Sequence, residues 1–279
     1  MIPRRWKPSL ILSRLFRAPQ DAGGKTKFIL LAKQRSGSTW VIDLLNSHPD
    51  VVGYSELFDY ECWDNRELVG GSNCMNWNTF VAQFHGNQGR EPNRAEQVRL
   101  YPEFLSNHAF ASESAKAVGF KLMYNQAISH PAIPRYLQRH RVHCIHLIRH
   151  NLLDGIVSQE AVANRGFAHA GTKAQSQATT IDPTSLVMRL KRRASDIAAA
   201  QAFAKFLNLP TLELSYESLC EDASTIENVL GFLGVDDSKS GLTSKLRKMS
   251  GSSHTETIAN YEAVAEQLSG TQFESLLRP

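Results

Sequence analysis

A chain of 279 residues with 42% apolar and 21% charged residues has the composition of a folded globular protein, not of a disordered or fibrous one. Its formal charge of +4 is too small to argue for a nucleic-acid partner, but it suits a protein that gathers cations around a small polyanion. No run approaches the roughly 18 consecutive apolar residues of a membrane span, and Cys62, Cys74, Cys144 and Cys220 form neither a C-x-x-C pair nor a metal-ligand spacing.

Residues 1–26 read as a basic tail. Arg4, Arg5, Lys7, Arg14 and Arg17 precede the first acid, Asp21, around the apolar groups Leu10-Ile11-Leu12 and Leu15-Phe16. Such a tail either packs on the domain, the reading preferred here, or makes a peripheral membrane contact. Its apolar run is too short and interrupted for a secretory signal, and Cys62 and Cys74 are read as reduced, so a cytoplasmic location is expected.

Apolar runs at 27–33, 51–55, 117–124, 142–149 and 210–216 read as strands alternating with helical patterns. That order predicts an α/β fold with a central parallel sheet flanked by helices on both faces, and sites at the C-terminal ends of its strands. The helix of the final helix–strand unit starts at Asp182-Pro183, a cap and a first position, and carries Val187, Leu190, Ala194 and Ile197 at helical spacing. Its Lys191-Arg192-Arg193 run is read as a solvated face. Two stretches break the rhythm: 57–116, with Phe58, Tyr60, Trp63, Trp77, Phe80 and Phe84, and the small polar segment 166–182. Both are assigned to acceptor recognition, as long insertions in compact domains commonly are.

The chemistry concentrates after the first strand. Phe28 to Ala32 enters a turn of Arg35, Ser36, Gly37, Ser38 and Thr39, and the apolar-periodic segment from Trp40 to Leu45 follows at once. Strand, polar glycine turn and helix start make an anion cradle, because the first N–H groups of a helix have no partner within it and its dipole favours negative charge there. Gly37 permits close backbone approach, Ser38 and Thr39 add hydroxyls, and Arg35 adds a fixed charge. A nucleotide-triphosphate loop would carry lysine directly after its last glycine; here the cation precedes the only glycine. Gly24-Lys25-Thr26 does read G-K-T, but it lies before the strand with Pro19 in the place of the first glycine, and is read as an exposed linker.

The segment Gln34-Arg35-Ser36-Gly37-Ser38-Thr39-Trp40 resembles the 5′-phosphosulfate loop of sulfotransferases that use 3′-phosphoadenosine 5′-phosphosulfate (PAPS). Its continuation through Asn46-Ser47-His48-Pro49-Asp50 to Ser55-Glu56 resembles the tyrosylprotein, carbohydrate and bacterial nodulation-factor branches. Blocks at Val118–Asn125, Cys144–Ser158, Leu212–Leu219 and, more weakly, Leu246–Tyr261 follow in the family's order. The resemblance implies a three-layer, P-loop-like sulfotransferase domain over 27–279. PAPS is then the donor and adenosine 3′,5′-bisphosphate (PAP) the product, with no metal. The acceptor is a small molecule or a glycan, with a carbohydrate or glycolipid hydroxyl preferred, and the oligomeric state stays open.

The resemblance also distributes roles. Arg35, Ser36, Gly37, Ser38, Thr39 and Trp40 would hold the 5′-phosphosulfate, with Arg35 neutralising the leaving oxygen. Cytosolic sulfotransferases take their base from a histidine two residues beyond a strand lysine. In Lys121-Leu122-Met123 that place is methionine, so Glu56, matching the glutamate that follows the second strand in the other branches, is the expected base, with His85, His108 and Glu61 as spares. Lys121, a charge within an apolar strand, needs either an anionic ligand or a carboxylate partner, and is expected to reach the sulfuryl group. Arg149 and Ser158 match the 3′-phosphate pair, although the family's usual spacing would fall on His150. Arg247 and Lys248, before Ser250-Gly251-Ser252, match a late basic loop over the nucleotide, and Tyr216-Glu217 is expected to orient a loop. The alternatives are a P-loop kinase, which needs magnesium and a lysine after the glycine, and a non-catalytic module binding sulfated or phosphorylated ligands.

Overall fold

The computed structural model describes residues 24–58, 75–90, 92–112, 114–130, 132–165, 178–222, 224–236, 242–243 and 253–277. The basic tail up to residue 23, Cys62, Cys74, Tyr60, Glu61, Trp63, Arg247 and Lys248 lie outside them, as do 166–177 of the second insertion.

Five strands form one sheet: β1 (Thr26–Ala32), β2 (Val51–Glu56), β3 (Ala117–Met123), β4 (His143–Ile148) and β5 (Thr211–Ser215). Their order is β2-β3-β1-β4-β5 and every pairing is parallel. The eleven α-helices among the described residues are α1 (Ser38–Asn46), α2 (Trp77–Gln88), α3 (Arg94–Phe104), α4 (Tyr124–Ser129), α5 (Ala132–Arg139), α6 (Leu152–Arg165), α7 (Pro183–Phe206), α8 (Tyr216–Glu221), α9 (Thr225–Leu233), α10 (His254–Thr257) and α11 (Tyr261–Leu268). None is long and apolar enough to cross a membrane.

Side chains alternate across the pleat, so each central strand feeds two cores. Ile29, Leu31, Val118, Phe120, Leu122 and Cys144 face one layer containing α2, α3, α5 and α7. Phe28, Leu30, Ala117, Ile145, Leu147 and Leu214 face the other, with α1 and α9. A third cluster joins α6, α7 and α11 through Leu153, Ile156, Leu190, Val264 and Leu268. The expected flanked parallel sheet is what the chain forms, and each strand lies within one residue of its expected limits.

Two expectations are corrected. Described residues of 57–116 are largely regular: α2 is capped by Asn76, and α3 opens on a capping box in which Asn93 and Glu96 bond each other's backbone N–H groups. Phe58, Trp77 and Phe80 are 2%, 6% and 9% exposed and belong to the first core, so these rings hold the helices on the sheet rather than facing solvent. Nor is Gly24-Lys25-Thr26 an exposed linker throughout, because Thr26 is buried and begins β1 while the Lys25 ammonium donates to the Ser112 carbonyl.

Candidate active site

The β1–α1 loop is built from two left-handed residues. Arg35 has φ 67° and Gly37 φ 89°, and a left-handed non-glycine residue costs on the order of 1 kcal/mol. Surrounding contacts hold this turn open. Arg193 on α7 donates through Nη2 to the Gln34 carbonyl (3.0 Å), and Arg149, just after β4, donates through Nη1 to the Arg35 carbonyl (3.4 Å). Two successive carbonyls are thereby pulled backward into guanidiniums. The Ser36 hydroxyl also turns back, onto the Lys33 carbonyl at 2.8 Å. At the front, α1 starts with Gly37 as N-cap and has no side-chain cap, which leaves its first N–H groups to a ligand. A side chain at Gly37 would place its Cβ 2.4 Å from the Tyr216 ring, so that position needs glycine for space as well as for φ.

Tyr216 ties this loop to the next. Its ring meets Trp40 edge-on (5.8 Å between centroids) and lies under the Arg149 guanidinium, with Cζ 4.6 Å from the ring centre. The adjacent Glu217 accepts from the backbone N–H groups of His150 (3.2 Å) and Asn151 (3.0 Å), orienting the start of α6. Tyr216-Glu217 thus does the orienting expected of it.

Arg149 and Ser158 converge on Arg35. The Arg35 Nε donates to Ser158 Oγ at 3.0 Å, while Arg149 is 8% exposed and paired through Nη2 to Asp154 Oδ2 at 2.5 Å. Its buried Nε has no hydrogen-bond partner among the described residues, an expensive omission unless a ligand supplies an acceptor. His150, the competing candidate, has an exposed side chain.

Lys121 finds both a hydroxyl and a carboxylate. It is 2% exposed, donates from Nζ to Thr39 Oγ1 (2.9 Å) and lies 3.3 Å from Glu56 Oε1. A register shift between Tyr54 and Glu56 brings Glu56 opposite Lys121, the re-aiming of a side chain that β-bulges perform. Gln126 on α4 donates to the other oxygen, Glu56 Oε2, at 3.0 Å. The chain Thr39–Lys121–Glu56 therefore runs from the anion cradle to a quarter-exposed carboxylate held at both oxygens. The spare histidines lie elsewhere: His108 packs on the Phe80 and Phe104 rings, and His85 lines a 460 Å³ cavity with Trp77 and Tyr101.

Two participants escaped sequence reading. Arg193 is no solvated residue: Lys191 and Arg192 are exposed but Arg193 is buried, its guanidinium seated on Gly155, where a Cβ would lie 2.4 Å from Nη2. The signal was available, since Leu186, Leu190, Arg193 and Ile197 recur at the spacing of one helix face. His254 is the other. It donates from Nε2 to Asp154 Oδ1 at 2.7 Å across a separation that no local pattern could reveal.

The electrostatics are those of a site short of negative charge. Burial, and then the neighbouring Arg149, push Arg35 below the ordinary arginine range, with Glu56 opposing. The same two causes bring Arg193 down to about 10, against Asp196. Guanidiniums depressed by burial and by a neighbouring guanidinium are stabilised by a polyanion among them.

Residues 28–239 match the family model described as "Sulfotransferase family", and the chain belongs to that family. No curated protein matches the sequence. Among solved structures it is similar to a sulfotransferase from Alicyclobacillus acidocaldarius (10% identity, TM-score 0.45, covering 81% of this chain and 87% of that one). It is also similar to the mouse sulfotransferase SULT7A1 complexed with PAP (13% identity, TM-score 0.44, covering 92% and 88%).

Proposed function

We propose that this member of the sulfotransferase family transfers the sulfuryl group of PAPS to an acceptor hydroxyl, with Glu56 as the base. The observation that carries the reading is the continuity from Thr39 in the cradle through Lys121 to Glu56, which sets a proton acceptor beside an anion site. In the proposed step the acceptor oxygen attacks sulfur as its proton passes to the Glu56 carboxylate. A new S–O bond forms while the bond from sulfur to the bridging oxygen of the 5′-phosphate breaks, and the electron pair stays on that phosphate oxygen. Such a transfer depends on in-line positioning and on charge stabilisation. Arg35, Lys121 and the N–H groups opening α1 supply the charge, and the Ser38 and Thr39 hydroxyls add donors.

Arg149 and Ser158 are assigned to the 3′-phosphate, supported by the unpartnered Arg149 Nε and by the contact of both residues with Arg35. Met123 in the place of a strand histidine, with Glu56 closing β2, favours the tyrosylprotein, carbohydrate and nodulation-factor branches. Within them we favour a carbohydrate or glycolipid hydroxyl as acceptor.

Thermal unfolding with PAP, run beside Mg-ATP, tests the donor. A ligand at about 100 times its dissociation constant stabilises by about 2.7 kcal/mol, or about 4 °C or more at this chain length. A shift with PAP alone is expected; a shift with Mg-ATP alone refutes the reading in favour of a kinase.

A further inference from the structure

Asp154 is divided between two cations. Its Oδ2 takes Nη2 of Arg149 at 2.5 Å and its Oδ1 takes Nε2 of His254 at 2.7 Å. The other ring nitrogen of His254, Nδ1, faces the Leu277 carbonyl at 3.4 Å. Both nitrogens thus face acceptors, which only the imidazolium can satisfy, since a neutral ring has one N–H. Among the described residues, the charged groups around this ring are Asp154 on α6 and Arg149 at the end of β4. On the 3₁₀ turn Glu274–Leu277, Glu274 is occupied by the Gly270 N–H, and on the ring's own helix Glu256 is exposed. The hydrogen bond to Asp154 holds the imidazole above its ordinary value, and outweighs burial.

The geometry is fixed on every side. Ser253 caps α10, at whose first position His254 stands. Asn151 accepts the Asp154 backbone N–H (3.2 Å) and donates to the Leu276 carbonyl (3.2 Å), so the C-terminal turn is fastened to the start of α6. We propose that His254, as an imidazolium on Asp154, is a positioning residue that leaves Arg149 only partly compensated, so that phosphate binding at the Arg149–Ser158 end is governed by protonation of a histidine in the C-terminal segment. The inference rests on the assignment of Arg149 and Ser158 to the 3′-phosphate. With His254 charged, the trio carries one net positive charge. With it neutral, Arg149 and Asp154 cancel and the pull on a dianionic phosphate falls.

The test is calorimetric titration of the wild-type, His254→Gln and His254→Lys chains with PAP and with adenosine 5′-monophosphate, from pH 6.5 to 9. A phosphate monoester is mostly doubly ionised over that window, so its own titration contributes little. Wild-type affinity for PAP should weaken roughly tenfold as pH rises, the size expected for losing one unit charge a few ångströms from a dianion when solvent screens the pair nearly as bulk water does. His254→Gln should bind at the weakened level throughout, His254→Lys should keep the tight level, and the 5′-monophosphate should distinguish the chains little. PAP binding in His254→Gln with wild-type strength and pH slope overturns the inference alone. No PAP binding by the wild type at any pH overturns the nucleotide assignment and the inference with it. Proton NMR of the ligand-free chain supplies a readout independent of nucleotide. The His254 ring should titrate above 6.5 and fall in Asp154→Asn, and a wild-type midpoint at or below that value also refutes the arrangement.

Discussion

Replacing Glu56 by Gln changes charge with little change of shape, and should lower stability and turnover without weakening binding. Glu56 Oε1 lies 3.3 Å from the ammonium of Lys121, whose side chain is 2% exposed. At an effective dielectric of about 20 the gross attraction is about 5 kcal/mol. Glu56 is 25% exposed and desolvation of both ions opposes that attraction, so the net loss on substitution should be about 2 kcal/mol. For a chain of this size that lowers Tm by about 3–4 °C. Binding should move the other way: Glu56 is a negative neighbour of Arg35, and its removal leaves the cradle more positive, so PAP should bind as well as before or slightly more tightly. Turnover should fall by about 10²–10⁴, the usual contribution of a positioned base, or about 3–5 kcal/mol of barrier. The assay is single-turnover transfer from radiolabelled PAPS to an acceptor that the wild type uses, with PAP affinity measured in parallel. Adding Lys121→Met should restore part of the lost stability by removing a buried ammonium that has lost its Glu56 carboxylate, without restoring turnover. Turnover of Glu56→Gln within about threefold of wild type would refute the base assignment.

Arg193→Gln should weaken PAP binding by about three- to tenfold by releasing the Gln34 carbonyl, while Tm falls by no more than about 2 °C because a costly buried cation is removed with it; calorimetry and a melting curve on one preparation check both. Gly37→Ala combines φ 89° with a Cβ 2.4 Å from the Tyr216 ring. It should destabilise by about 2–4 kcal/mol in urea denaturation and abolish PAP binding. His143 is buried against Phe232 and held neutral, chiefly by burial, down to about 4. The unfolded chain takes up the proton first, so stability should fall as pH drops from 6.5 toward 4 and level off below; His143→Phe should flatten that limb in pH-dependent melting.

Much of the sheet was legible because buried parallel strands read as short apolar runs, and a charge inside one of them, Lys121, stood out for the same reason. The β1–α1 loop was legible because its residue types are bound to one local geometry. Glu56 could be placed at the end of β2, but the register shift that turns it toward Lys121 has no sequence signature. The aromatic residues of 57–116 suggested recognition, although Asn93-x-x-Glu96 already marked a helix start and Trp77 and Phe80 share a helical face. Arg193 was hidden by its two exposed basic neighbours, whose solvation is correct and says nothing about the next residue round the helix. His254 illustrates a harder limit, since it meets Asp154 only through the tertiary docking of the C-terminal turn.

The strand order has a consequence for synthesis. β1, the first strand among the described residues, is the central one, and Ile29 pairs with Phe120 on one side and Cys144 on the other. As the chain leaves the ribosome, Phe28 to Ala32 therefore waits while residues 33–116 are made before β3 can cover one flank, and until residue 143 before β4 can cover the other. Contacts this distant in sequence slow folding and prolong the life of exposed apolar strand edges. The segment that leads into the β1–α1 loop is thus also the one a nascent-chain chaperone has most reason to hold. Arg193, which secures that loop, is translated later still, after both flanking strands.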